Sequence, residues 1–81
     1  MALSKESLLE FMEGTLGVDT ASVDEQTELF SSGIIDSAGM VELVEFVESK
    51  GNVSFGPDDL TLDHLDSIGR ILRFVAERHD A

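Results

Sequence analysis

Apolar residues recur with helical spacing in three separate stretches of this chain, so three amphipathic surfaces must cover one another. Met40, Leu43, Val44 and Val47 fall at i, i+3, i+4 and i+7, and Ile68, Ile71, Leu72 and Val75 repeat the pattern. Leu8, Phe11, Met12 and Leu16 follow it with a longer last step. A stripe of this period is one face of an α-helix that is stable only when buried against a neighbour. The chain therefore reads as all-α: three main helices, one short one and a long first loop.

Capping residues set the expected boundaries. A first helix is predicted over about residues 5 to 16, with Ser4 or Ser7 at its start, Ser7 and Glu10 at capping-box spacing, and Gly17 as its stop. The second is predicted over about residues 37 to 50, with Asp36 or Ser37 as the cap and Gly51-Asn52 ending it. Val53-Ser54-Phe55 reads as an extended connector. Pro57 opens a turn and a short helical piece over about residues 57 to 66, and the last helix, capped by Asp66 or Ser67, covers about 67 to 78. Residues 17 to 36 carry no sustained period. A loop of that length is uncommon in a compact domain, so its apolar residues are expected to be pinned to the core, best by Leu29 and Phe30. A turn of helix is expected near residues 24 to 30.

At 81 residues the chain suffices for a single domain, residues 1–81, near the lower limit for one hydrophobic core. It contains no cysteine, which excludes a disulfide framework and leaves apolar packing to supply stability. Hydrophobic residues make up 42% of it, enough to fold despite its acidity. The net charge is −12, and residues 1 to 66 hold fifteen acids against only Lys5 and Lys50, a net of −13. Such a surface repels nucleic acid and anionic lipid and favours basic protein partners. Arg70, Arg73 and Arg78 lie in the last helix; Arg78 suits the negative end of its dipole. No stretch approaches the roughly 20 apolar residues of a membrane span, and the N-terminus lacks a secretory pattern, so a cytoplasmic monomer is expected.

Catalytic motifs are missing. A nucleophile elbow needs glycine two residues before Ser37, where Ile35 stands. His64 and His79 match no zinc spacing and read as surface histidines, and there is no EF-hand loop, P-loop or dinucleotide fingerprint. No metal site and no enzymatic activity are expected.

Ser37 is the residue that draws attention. It follows a long loop and an aspartate that can itself cap the helix, and it precedes a helix whose outer side mixes Ala38 and Val41 with Glu42, Glu45 and Glu48. The run Leu29-Phe30-Ser31-Ser32-Gly33-Ile34-Ile35-Asp36-Ser37-Ala38, followed by Val41-Glu42-Leu43-Val44, resembles the acyl carrier and peptidyl carrier protein family. The likeness extends to Leu65-Asp66-Ser67-Ile68 at the start of the last helix. It implies a four-helix bundle of acyl-carrier type and a non-catalytic carrier of acyl or aminoacyl thioesters. By resemblance, Ser37, flanked by Asp36, would carry 4′-phosphopantetheine, installed from coenzyme A by a separate phosphopantetheinyl transferase that needs Mg²⁺. A loading ligase or adenylating enzyme and a downstream synthase or transferase, with basic patches, would meet the face of Ala38, Val41, Glu42, Glu45 and Glu48. Residue by residue, the physics agrees: a plain serine hydroxyl needs an outside base, and a helix start tolerates the resulting anion.

Two departures stand out. Ala38 occupies the family's usual leucine position, and Gly51 replaces the bulky residue that often closes this helix. Both argue for a specialised carrier, of a secondary-metabolite, aminoacyl or D-alanyl pathway, over the fatty-acid one. The competing readings are an acidic helical interaction module with Ser37 as a mere cap, and a small hydrolase using Ser37. Seventeen acids also repel one another across the fold. Added salt or divalent cation is therefore expected to raise the melting temperature; a value independent of ionic strength would contradict this.

Overall fold

A computed structural model describes residues 3–80. Four α-helices follow in order: α1 (Lys5–Gly14), α2 (Ser37–Gly51), α3 (Leu62–Leu65) and α4 (Ile68–Asp80). Single 3₁₀ turns occupy Thr20–Ser22 and Pro57–Asp59, and no strand occurs among the described residues. This is the all-helical bundle that the apolar stripes require.

Local chemistry explains the boundaries. Ser4, not Ser7, caps α1: its Oγ accepts from the Ser7 N–H at 3.2 Å, and Ser7 Oγ accepts from the Ser4 N–H at 2.8 Å. The box thus forms with Ser7 in place of Glu10. That earlier start puts Leu3 and Leu8, both buried, at the two positions of a hydrophobic staple. At the other end the Leu16 and Val18 N–H groups both reach the Met12 carbonyl, at 3.2 and 3.0 Å, around Gly17 at φ +70°. Gly17 turns the chain back over the helix end in the left-handed conformation that glycine adopts without strain. Asn52, at φ +53°, ends α2.

The core joins Leu8 and Met12 of α1, Leu43 and Val47 of α2, Leu65 of α3 and Ile68, Ile71, Phe74 and Val75 of α4. Each fully buried aliphatic side chain contributes about 2 kcal/mol relative to exposure. Met40 and Val44 are only half-buried, at the edges of the α2 stripe. Gly51 is explained by proximity: a Cβ there would stand 3.2 Å from Val75 and 3.4 Å from Leu3, too close for the bulky residue usual in the family. Three aromatic contacts brace the bundle: Phe11 on Phe46, with ring centroids 4.3 Å apart, and Phe55 and His64 on Phe74. His64 is therefore a half-buried packing residue, not a free surface histidine, because its ring covers Phe74 while Nδ1 lies 3.0 Å from the Asp59 carbonyl. Arg78 also lies over Phe74 and pairs with Asp59.

The long loop is pinned along its length. Val18, Val23, Leu29 and Ile35 are buried, whereas Phe30 is half-buried. The helical turn expected within residues 24 to 30 lies earlier, at Thr20–Ser22. Asp24 Oδ1 accepts from the Gln26 N–H at 2.8 Å and the Thr27 hydroxyl at 3.1 Å, a local alternative that competes with helix. Glu25 O accepts from the Gly69 N–H at 2.9 Å. The strongest pin is Asp66, 6% exposed. Its carbonyl accepts from the Leu29 N–H at 2.7 Å. One carboxylate oxygen accepts from the Phe30 and Ser31 N–H groups at 2.8 and 3.0 Å, and the other from the Ser31 hydroxyl at 2.7 Å.

Burial by itself favours the neutral form of Asp66, yet the Ser31 and Phe30 bonds, with help from Arg70, outweigh it and hold the carboxyl below its ordinary value of 3.8. The sign follows from linkage: the stabilisation is complete above the unfolded value and is lost as pH falls through the lower folded one. Asp66→Ala, which strands two amides, is expected to cost about 3 kcal/mol in denaturant melts. Asp66→Asn should in addition flatten the loss of stability below about pH 4; an acid limb as steep as that of the parent protein would refute this role.

Candidate functional site

The approach to α2 is set by two turns. Gly33, at φ +84°, donates its N–H to Phe30 O at 3.1 Å, and the Ile35 N–H reaches Leu29 O at 2.9 Å. Ile35 is thereby buried, Ile34 is left 38% exposed, and the chain enters the helix at Asp36 with extended backbone. Asp36, not Ser37, is the cap. Its Oδ1 accepts from the Gly39 N–H at 2.8 Å. Ser37 is the first helical residue, exposed, and its hydroxyl makes no hydrogen bond among the described residues. The Ser37 and Ala38 N–H groups, which lie in the first helical turn, likewise have no acceptor among them.

A hydroxyl so placed is accessible and unactivated. Asp36 is its only acidic neighbour in sequence, and that carboxylate already serves the helix start. His79 contacts the Gly51 carbonyl at 2.5 Å, at the far end of α2, about 21 Å along the axis from Ser37. His64 is engaged with Phe74 and Asp59. Among the described residues no group of three or more His, Asp or Glu side chains is placed to hold a metal ion. The geometry offers a modifiable hydroxyl at the positive end of a helix.

The outer side of α2 carries Ala38, Val41, Glu42 and Glu45, all exposed, Val41 at 55%. Glu48 differs from the rest. It is half-buried, and its Oε2 accepts from the Phe55 N–H at 2.7 Å, tying the connector back onto the helix. The helical wheel places Glu48 with the free acids, but a turn that brings residue 55 beside residue 48 is invisible to a wheel. Asp66 was expected only as an alternative cap to Ser67. In fact the Ser67 hydroxyl accepts from the Arg70 N–H at 3.2 Å and leaves Asp66 free to hold the loop that leads to Ser37.

A cavity of about 280 Å³ opens beside the helix start, lined by Leu16, Val18, Ile35, Asp36, Ala38 and Glu42 among others. The flanking residues of Ser37 both belong to it. Covalent attachment of a flexible group at this hydroxyl is thus sterically open on the side of α1 and on the solvent side.

Comparison with known proteins decides the family. Residues 6–75 match the model of the phosphopantetheine attachment site. The chain belongs to this family. It is a carrier protein, which holds acyl or aminoacyl groups as thioesters on a covalently attached 4′-phosphopantetheine. Among its relatives is the D-alanyl carrier protein of Lactococcus lactis subsp. lactis (strain IL1403), 26% identical over 76 residues, which are 94% of this chain and 96% of the relative. The D-alanyl carrier protein of Streptococcus suis (strain 05ZYH33) is 27% identical over 73 residues, 90% of this chain and 91% of the relative. No helix among the described residues is long and apolar enough to cross a membrane.

Because capping and attachment fall on different residues, their substitutions should separate. Asp36→Ala is expected to lower stability by about 1 kcal/mol through the lost cap. Ser37→Ala should stay within about 0.5 kcal/mol of the parent, since nothing in the described structure leans on its hydroxyl. Equal losses in paired denaturant melts would contradict this division.

Proposed function

We propose that Ser37 is the attachment residue of this carrier, and that Asp36 acts beside it by fixing the start of α2. The observation that carries the proposal is the free Ser37 hydroxyl, exposed at a helix start whose capping is already provided by Asp36 Oδ1. When bound, 4′-phosphopantetheine supplies a thiol on a flexible arm, and this chain, having no cysteine, adds no competing thiol of its own. The Ser37 and Ala38 N–H groups, which have no acceptor among the described residues, and the helix dipole suit the phosphodiester anion. The chain itself performs no catalysis in this reading; a Mg²⁺-dependent transferase modifies it in the cytoplasm.

Partner enzymes with basic patches dock on Ala38, Val41, Glu42 and Glu45, where an apolar spot is ringed by carboxylates. Glu48 contributes least, since its carboxylate serves Phe55. The cargo is an aminoacyl group, loaded by an adenylating ligase. The D-alanyl carrier proteins among the relatives support that choice, as does the small Ala38 beside the serine.

The test is intact mass after incubation with coenzyme A, Mg²⁺ and a broad-specificity phosphopantetheinyl transferase. A gain of about 340 Da, absent in Ser37→Ala, is the expected result for a single phosphodiester at this hydroxyl. A folded protein that stays unmodified would overturn the assignment and favour an interaction module without an arm. Hydrolytic turnover by the unmodified chain would instead favour the hydrolase reading.

A further inference from the structure

The cavity beside Ser37 does not end at the helix start. A second one, of about 370 Å³, is lined by Phe11, Thr15, Glu42, Glu45, Phe46 and Ser49. Thr15 and Glu42 line both cavities, so the two form one track along the seam of α1 and α2. On α2 its wall is Ala38, Glu42, Glu45, Phe46 and Ser49, a single helical face. The floor is apolar, built from half-buried Leu16 and the stacked Phe11 and Phe46 rings. Exposed Glu42 and Glu45 stand along its edge, and no lysine or arginine lines it.

From this geometry we propose that the track seats the pantetheine arm carried on Ser37, with a short cargo bearing an α-ammonium group held beside Glu42 and Glu45. This rests on the carrier reading above. Length supports it: α2 rises about 16 Å from Ala38 to Ser49. The chain of the arm from the serine oxygen to the sulfur spans about as much as five extended residues, about 17 Å. The two match. An arm leaving Ser37 beside Ala38 can lie on the Leu16, Phe11 and Phe46 floor and bring its end to Glu45. Ala38 keeps the mouth of the track low where a leucine would project. The tether makes the contact intramolecular, so weak interactions suffice to populate it. Charge selects the cargo: an ammonium complements two carboxylates, whereas a long uncharged acyl chain has no enclosed volume here and would lie in water beside them. Partner enzymes that engage Glu42 and Glu45 would release the arm as they bind.

The experiment loads Ser37 with an amino analogue of coenzyme A bearing an alanyl amide, which resists hydrolysis, and checks attachment by mass. Backbone amide spectra of the unmodified, arm-bearing and alanyl-bearing forms are then compared. The expected result is that Phe11, Thr15, Phe46 and Ser49 shift in the alanyl-bearing form. A 2-hydroxypropionyl analogue, which lacks the ammonium, should lose these shifts, as should the alanyl-bearing form of the protein in which Glu42→Gln is combined with Glu45→Gln. Full attachment with shifts confined to residues 33–41, or placed on α3 around Leu62 and Leu65, would overturn the inference while sparing the carrier reading. Absence of any mass gain would overturn both.

Discussion

The carboxylate of Asp66 holds the bundle's least regular part in place. Eighteen residues of loop separate Gly17 from Asp36, without a helix of their own beyond one 3₁₀ turn. Such a segment loses about 1–2 kcal/mol of backbone entropy per ordered residue and needs specific compensation. Asp66 supplies it at the point where α3 gives way to α4, by accepting from Phe30 and Ser31 while its carbonyl accepts from Leu29. A buried charge with three donors is stable where an unpaired one would not be. Through the turns at Gly33 and Ile35 that anchor determines where α2 begins, and so where Ser37 points.

At two helix starts the chain places aspartate and serine side by side, and the fold gives them opposite duties. At 36 and 37 the aspartate caps and the serine is left free; at 66 and 67 the serine caps and the aspartate is left free. The reason is the surroundings of the spare group. Ser37 faces solvent, where its hydroxyl needs no protein partner, whereas Asp66 faces the orphan amides of the loop. Position in the helix decides which residue caps; burial decides what the other one does.

Most of the helical framework was legible along the chain. The stripes at Leu8 and Met12, Leu43 and Val47, and Ile68, Ile71 and Val75 all reach the core, because a 3.6-residue period is a local property. Ser37, Asp36 and the exposed Val41 could be read for the same reason. What escaped sequence reading depends on long-range contact: His64 stacking on Phe74, Glu48 reaching Phe55, Gly51 admitting Val75, and the shift of the loop's helical turn to Thr20–Ser22. A carboxylate carries no mark in the sequence that tells a solvated acid from one satisfied by distant amides.

The sequence by itself therefore determined a four-helix bundle, an acidic surface and a serine at the start of the second helix, since periodicity, charge and capping are written residue by residue. Only the tertiary structure decided that Asp66 latches the loop, that Glu48 is withdrawn from the acidic face, and that an open track follows the seam of α1 and α2 away from Ser37. The Glu48 bond spans 7 positions in the chain, the Asp66 latch 35 and 36, and the track brings Phe11 onto Phe46. They exist only once packing has brought the partners within reach of a hydrogen bond or a van der Waals contact.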